Sequence, residues 1–255
     1  MTMHKILVLL LLLWSFGAFA AEDGSLSLSP AVVMLRGDFG QSTTQTLTFT
    51  NGTSRAFDFD LVAQDVVTRD GQRVFVDAGS IAGSIAATAV FSQKHVRVAP
   101  GETAAVTVTV TLPPSTAQRA VVALFRGTNQ VMSGHVPMSA SLGTLLTFTA
   151  SDELALTAAS LDVRPQSAAV NLAFSQACTN SGREPFVARG VMAVLDDRGT
   201  LVGKTTLAPH RLIPGESASL GGEYAGELAP GRYRVSVTYD YEGRTASRSA
   251  EVEIR

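Results

Sequence analysis

Arg97-Val98-Ala99-Pro100-Gly101-Glu102-Thr103-Ala104-Ala105-Val106 returns, residue class for residue class, as Arg211-Leu212-Ile213-Pro214-Gly215-Glu216-Ser217-Ala218-Ser219-Leu220. Both lines read Arg-apolar-x-Pro-Gly-Glu-Ser/Thr-Ala-x-apolar, and they stand about one domain length apart. Pro-Gly marks a tight turn, and the residues after it alternate apolar with polar, so each copy predicts strand, turn, strand. Two β-sandwiches in tandem follow from this duplication.

The first copy feeds the most regular segment of the chain. From Ala104 to Leu112, Val106, Val108, Val110 and Leu112 alternate with threonines, which sends the valines to a core and the threonines to water. Pro113-Pro114 ends that strand, and Ala120 to Phe125 reads as a central strand buried on both faces. Upstream, Ser25 to Leu35 is a first strand broken at Pro30. Thr44 to Thr50 stops at Asn51-Gly52, and Ala56 to Ala63 puts Phe57, Phe59 and Leu61 on one face. Asp70-Gly71 between two β-rich arms is a hairpin signal. Residues 77–88 are rich in Gly, Ala and Ser without a period and read as a loop. Phe91 to Val98 reads as one strand, and Ser139 to Ala150 closes the domain.

The second domain repeats the scheme from Leu154 to Arg255, with turns at Asp196-Asp197-Arg198-Gly199 and Glu242-Gly243. Tyr233, just after Pro230-Gly231 at the head of an alternating strand, has the setting of a tyrosine corner. No segment holds a helical period, so helix should be scarce. The domains are expected at 21–151 and 152–255.

Residues 1–20 stand apart. Met1 to Lys5 is a short basic lead, Ile6 to Trp14 is apolar, and Ala18-Phe19-Ala20 supplies small residues for signal peptidase. Export with cleavage after Ala20 is the expectation, an uncleaved anchor the alternative. The apolar run is short for a membrane span, which takes about 20 residues. No cysteine follows it to carry a lipid.

Charge is nearly balanced, 20 Lys and Arg against 22 Asp and Glu for a formal net of −2, which leaves no footprint for nucleic acid or anionic lipid. The chain has 1 cysteine, so Cys178 forms no internal disulfide and the domains must stand on their cores. Cys178 is read as a buried small hydrophobe, with an intermolecular or reactive thiol as the alternative.

No catalytic constellation emerges. His95, His135 and His210 stand at no metal-binding spacing, and no nucleophile elbow or phosphate-binding glycine loop is present. Asp152-Glu153 and Asp196-Asp197 are adjacent pairs that point apart, suited to a linker and a turn. Asn51-Gly52-Thr53 matches a glycosylation sequon but also a turn. No metal, no cofactor and no catalysis are expected; only a cluster of His95, His135 and a carboxylate would favour an enzyme.

A catalyst-free pair of sandwiches can bind through a sheet edge, where unpaired N–H and C=O groups accept a partner strand. The candidate is the strand from Leu142 to Ala150. Leu142, Thr144, Leu146 and Phe148 share one face, either offered to a partner or buried in the domain's own core.

The order of these features resembles the periplasmic pilus-assembly (PapD-like) chaperones. The features are an export signal, the strand at Leu26-Ser27-Leu28-Ser29-Pro30, the Pro-Gly-Glu turn feeding Val106 to Leu112, Pro113-Pro114, the Ala120 to Phe125 strand, and a last strand leading into a second sandwich. The resemblance implies two immunoglobulin-like domains in an L. It implies a protein that holds a fibre subunit by donating a strand, without ATP, and possible dealings with an outer-membrane usher. It also implies a basic pair in the cleft for the subunit's terminal carboxylate. Here the first strand reads Ser29-Pro30-Ala31 at that neighbourhood, and Leu142 to Ala150 has no basic residue; Arg36 and Arg126 are the nearest bases. The reading from another class is a non-catalytic adhesion or cell-wall module of the surface or periplasm.

Overall fold

In a computed structural model of the chain, residues 24–128, 131–133, 136–166 and 171–255 are described. The export signal and the cleavage point at Ala20 lie outside them, as does His135.

The first sandwich contains β1 (Leu26–Ser29), β2 (Val32–Arg36), β3 (Ser42–Asn51), β4 (Phe57–Arg69), β5 (Gln72–Asp77) and β6 (Val90–Phe91). It continues with β7 (His95–Val98), β8 (Thr103–Thr111), β9 (Ala120–Gly127), a small hairpin of β10 (Val131–Ser133) and β11 (Val136–Met138), and β12 (Ser141–Thr149). One sheet runs β1-β3-β8-β6 and the other β2-β12-β9-β4-β5, with β7 also on β4. Pro30 breaks the first strand as expected, because the chain crosses there from β3 in one sheet to β12 in the other.

The alternation in β8 does what its sequence dictates. Val106, Val108, Val110 and Leu112 are at most 2% exposed and share a core with Leu47 and Phe49 of the neighbouring β3 and Phe59 and Phe125 of the facing sheet. The threonines on the other face pair across the strands, Thr44 with Thr109 and Ser42 with Thr111, each at 2.7 Å. The Asp70-Gly71 hairpin has both residues at positive φ, 50° and 76°, the geometry that matches the twist of a two-residue hairpin.

Two expectations need correction. Phe91 to Val98 is not one strand, since β6 pairs with β8 and β7 with β4, so the chain changes sheets between them. The aperiodic segment 77–88 is partly ordered by a buried carboxylate. Asp65 on β4 accepts bonds from Ser84 Oγ and from the N–H groups of Ile85 and Ala86 at 2.8 and 2.9 Å, which starts a 3-10 turn over Ala86–Thr88 and buries Ile85. That turn is the one helical element among the described residues.

The second sandwich contains β13 (Leu156–Ala158), β14 (Asp162–Gln166), β15 (Asn171–Asn180), β16 (Phe186–Leu195) and β17 (Leu201–Thr206), then β18 (His210–Leu212), β19 (Ser217–Tyr224), β20 (Gly231–Tyr241) and β21 (Arg244–Ile254). β15 pairs with β13, β14 and β19; the facing sheet runs β17-β16-β20-β21 with β18 also on β16. The Tyr233 hydroxyl donates to Ala229 O at 2.7 Å, completing the tyrosine corner.

The duplicated turn has a third member that lies far from it in sequence. Buried Asn51 donates its amide to Val98 O and Ala99 O, both at 3.1 Å, while its backbone exchanges bonds with Gly101 and Glu102. Asn180 does the same with Leu212 O, Gly215 and Glu216. Glu102 and Glu216 each close their own turn by accepting the N–H of Ala99 or Ile213. The sequon at Asn51 therefore carries a core amide, wholly shielded from solvent in the folded domain.

Candidate functional site

The last strand of the first domain, β12, is where the sequence placed a binding edge. On one side it pairs with β9 from Ser141 to Thr147. On the other, β2 lies parallel to it, but only from Leu145 to Thr149. The Leu145 N–H donates to Ala31 O at 3.0 Å on that side. Backbone direction alternates along a strand, so the N–H groups of Gly143 and Ser141 point the same way, past the end of β2. No strand among the described residues pairs with this side of Ser141 to Thr144.

The face shared by Leu142, Thr144, Leu146 and Phe148 turns inward. Leu146 and Thr144 are fully buried, Phe148 is 4% exposed, and Leu142 packs against the same core. Thr144 Oγ1 donates to Pro30 O at 2.7 Å, which satisfies the hydroxyl inside. The apolar row is thus spent on the domain's own interior, and what the strand presents laterally is backbone. The opposite face carries Gly143 and Leu145, beside Val66, Phe75, Val122 and Leu124, around a hollow of about 340 Å³.

The second copy of the turn forms the domain junction. Ile213 packs with Val66, Ala120 and Val122 of the first sandwich, where the first copy has exposed Ala99. Thr68 Oγ1 donates to Pro214 O at 2.9 Å, Ser217 N donates to Gly71 O at 2.8 Å, and Arg73 ion-pairs with Glu216 at 2.8 Å. Deeper in, Arg119 holds Glu184 with Nε and a terminal nitrogen at 2.8 and 3.1 Å. Ala150 N and Ser151 Oγ also donate to that carboxylate, and Phe39 lies under the guanidinium at 5.3 Å. Sequence reading missed both pairs, since their members come from different domains.

A cleft of about 250 Å³ between the sandwiches is lined by Met34, Arg36, Thr147, Phe186, Arg211 and Glu242, among others. Arg36 reaches it while pairing with Asp152 at 3.1 Å; Arg126 sits elsewhere, on the exposed face of β9. The half-buried base of the cleft is Arg211, the first residue of the second repeat line, which donates to Thr147 Oγ1 at 3.0 Å. Burial lowers its pKa, and Arg73 pushes the same way while Glu242 opposes them.

The remaining candidates are not brought together. His95 is exposed and pairs across the strands with Asp60, and His210 lies on β18 in the other domain. No group of three His, Cys, Asp or Glu among the described residues is placed to hold a metal. Cys178 is fully buried in the second core beside the Tyr239 hydroxyl. Burial raises the pKa of both groups.

Comparison with known proteins begins with the first sandwich. Residues 35–151 match the model of an Fn3-like domain. Over about nine-tenths of its length, the chain is similar in structure to fimbrial chaperones. The Pseudomonas aeruginosa CupB2 chaperone is 10% identical, with a TM-score of 0.40, covering 90% of this chain and 100% of that one. The Escherichia coli chaperone DraB is 14% identical with a TM-score of 0.39, covering 91% and 97%. The chaperone–tip subunit pre-assembly complex of Csu pili from Acinetobacter baumannii gives 8% identity and a TM-score of 0.45, covering 89% and 97%. No curated protein sequence matches. No helix among the described residues is long and apolar enough to cross a membrane.

Proposed function

We propose that this is an exported, non-catalytic chaperone-like protein of the periplasm, with domains at 21–151 and 152–255, that holds a fibre subunit by pairing a client strand with β12. The observation that carries this reading is the short reach of β2. It covers β12 at Leu145 to Thr149 and leaves Ser141 to Thr144 open, with Gly143 aiming its backbone outward. A strand entering there extends the sheet in line with β2, and ladder hydrogen bonds supply affinity with no need of ATP. Leu142, Thr144, Leu146 and Phe148 serve this site from behind, by holding β12 flat against its core.

The test is amide hydrogen exchange on the protein, alone and after co-expression with a candidate fibre subunit encoded beside its gene. A one-to-one complex that newly protects Ser141 and Gly143, while Leu145 is protected in both states, is the expected result. A complex leaving those two amides as fast as in the free protein would refute the edge-pairing mode.

A further inference from the structure

On the flank of the first sandwich away from β12, β4 has a gap in its pairing. β7 pairs with it as far as Asp60, and β5 begins at Gln64. Leu61 N still donates to Lys94 O at 2.8 Å, and between there and Gln64 no strand among the described residues covers Val62 and Ala63 on that side. A groove of about 860 Å³ opens there, within the range of small-molecule sites. Its walls are made of small apolar side chains, Ala63, Ala78, Ala86, Ala87 and Ala89, with Val62, Val90 and Phe91. Val90, 65% exposed, stands at its rim.

The charges lining this groove lean positive, Lys94 and Arg126 against Asp77. Of the two nearby carboxylates, Asp60 pairs with His95 and stands across from Arg126, while Asp77 lines the groove and is bonded at 2.9 Å by the neutral Gln64 amide, which cancels no charge. Lys94 and Arg126 line the groove with no ion-pair partner among the described residues. A wall of alanines leaves a smooth channel without deep pockets for bulky side chains, and two cations favour an anionic end. We propose that the groove binds a single-chain anionic amphiphile, its acyl chain along the alanines and its carboxylate by Lys94 and Arg126. This inference is independent of any role for β12.

Calorimetric titration with octanoate, decanoate and dodecanoate, each below its micelle concentration, tests it. If the chain lies in the groove, affinity rises about fourfold for every added methylene, the ratio equivalent to 0.8 kcal/mol per buried CH2. The double variant Lys94→Ala/Arg126→Ala, altered only at exposed side chains, should weaken dodecanoate at least tenfold and leave dodecyl maltoside unchanged. Val90→Asp should weaken both ligands. Affinity independent of chain length, equal binding of dodecyltrimethylammonium, or dodecanoate binding unaffected by the double variant would each overturn the assignment. So would preferential binding of an apolar peptide with a free carboxylate.

Discussion

Arg119 of the first sandwich grips Glu184 of the second in a two-pronged ion pair whose side chains are 8% and 0% exposed. Four donors reach the carboxylate, two from Arg119 and one each from Ala150 and Ser151, so the buried charge is fully satisfied. Its geometry ties the start of β9, the interdomain linker and the loop before β16 into one unit.

Removing one member leaves a buried charge or polar cluster without its partner. Arg119→Ala should therefore destabilise the protein by about 3–5 kcal/mol, the usual cost of breaking a buried pair. Urea unfolding should change from one transition to two as the sandwiches uncouple. A single transition of unaltered midpoint would show that the pair does not join them.

Asn51 and Asn180 perform the same task in the two domains, each bracing a Pro-Gly-Glu turn from across the sheet. Replacing Asn51 by Ala removes the amide donor from the buried Val98 carbonyl, at about 1–3 kcal/mol, and from the more exposed Ala99 carbonyl, which water can satisfy. Asn180→Ala should cost a similar amount in the second domain. Thermal unfolding of both variants checks this, and a loss under about 0.5 kcal/mol, as for an ordinary surface change, would contradict it.

Phe148 points into the first core among aromatic and aliphatic neighbours. Phe148→Ala should cost about 3–5 kcal/mol through lost burial and the cavity left behind. Leu146→Asp should prevent the first domain from folding, since it places a carboxylate at a fully buried site. Circular dichroism of the purified variants separates such unfolding from a selective loss of binding.

Cys178 and Tyr239 are acids whose pKa values rise on folding because burial disfavours their anions. The unfolded chain then releases these protons first as pH rises. Their contribution to stability is complete below the ordinary thiol value of 9.0 and the phenol value of 10.0, and it falls as pH climbs through and past them. Melting temperature should decline between about pH 9 and 11, more steeply than in Tyr239→Phe/Cys178→Ala. Equal slopes would assign the decline to other groups.

The strict alternation of Val106 to Leu112 was enough to predict which side chains fill the core, because period two is imposed by the strand itself. The same rule showed that Leu142, Thr144, Leu146 and Phe148 share a face, yet it is silent on whether that face looks in or out. Hydrophobicity alone leaves that choice to whichever sheet lies opposite. Asp65, Arg119, Asn180 and Glu184 gave no local signal, since a buried polar residue is recognised by partners that arrive from distant segments.

From the chain alone came two all-β domains, their hairpin turns, the break at Pro30 and the tyrosine corner, all of which depend on neighbours within a few residues. Only the tertiary structure decided that the second Pro-Gly-Glu turn became the domain junction and that β2 covers half of β12. Local patterns dictate how a strand presents its faces, but the neighbour along each edge is set by hydrogen bonds between segments far apart in sequence.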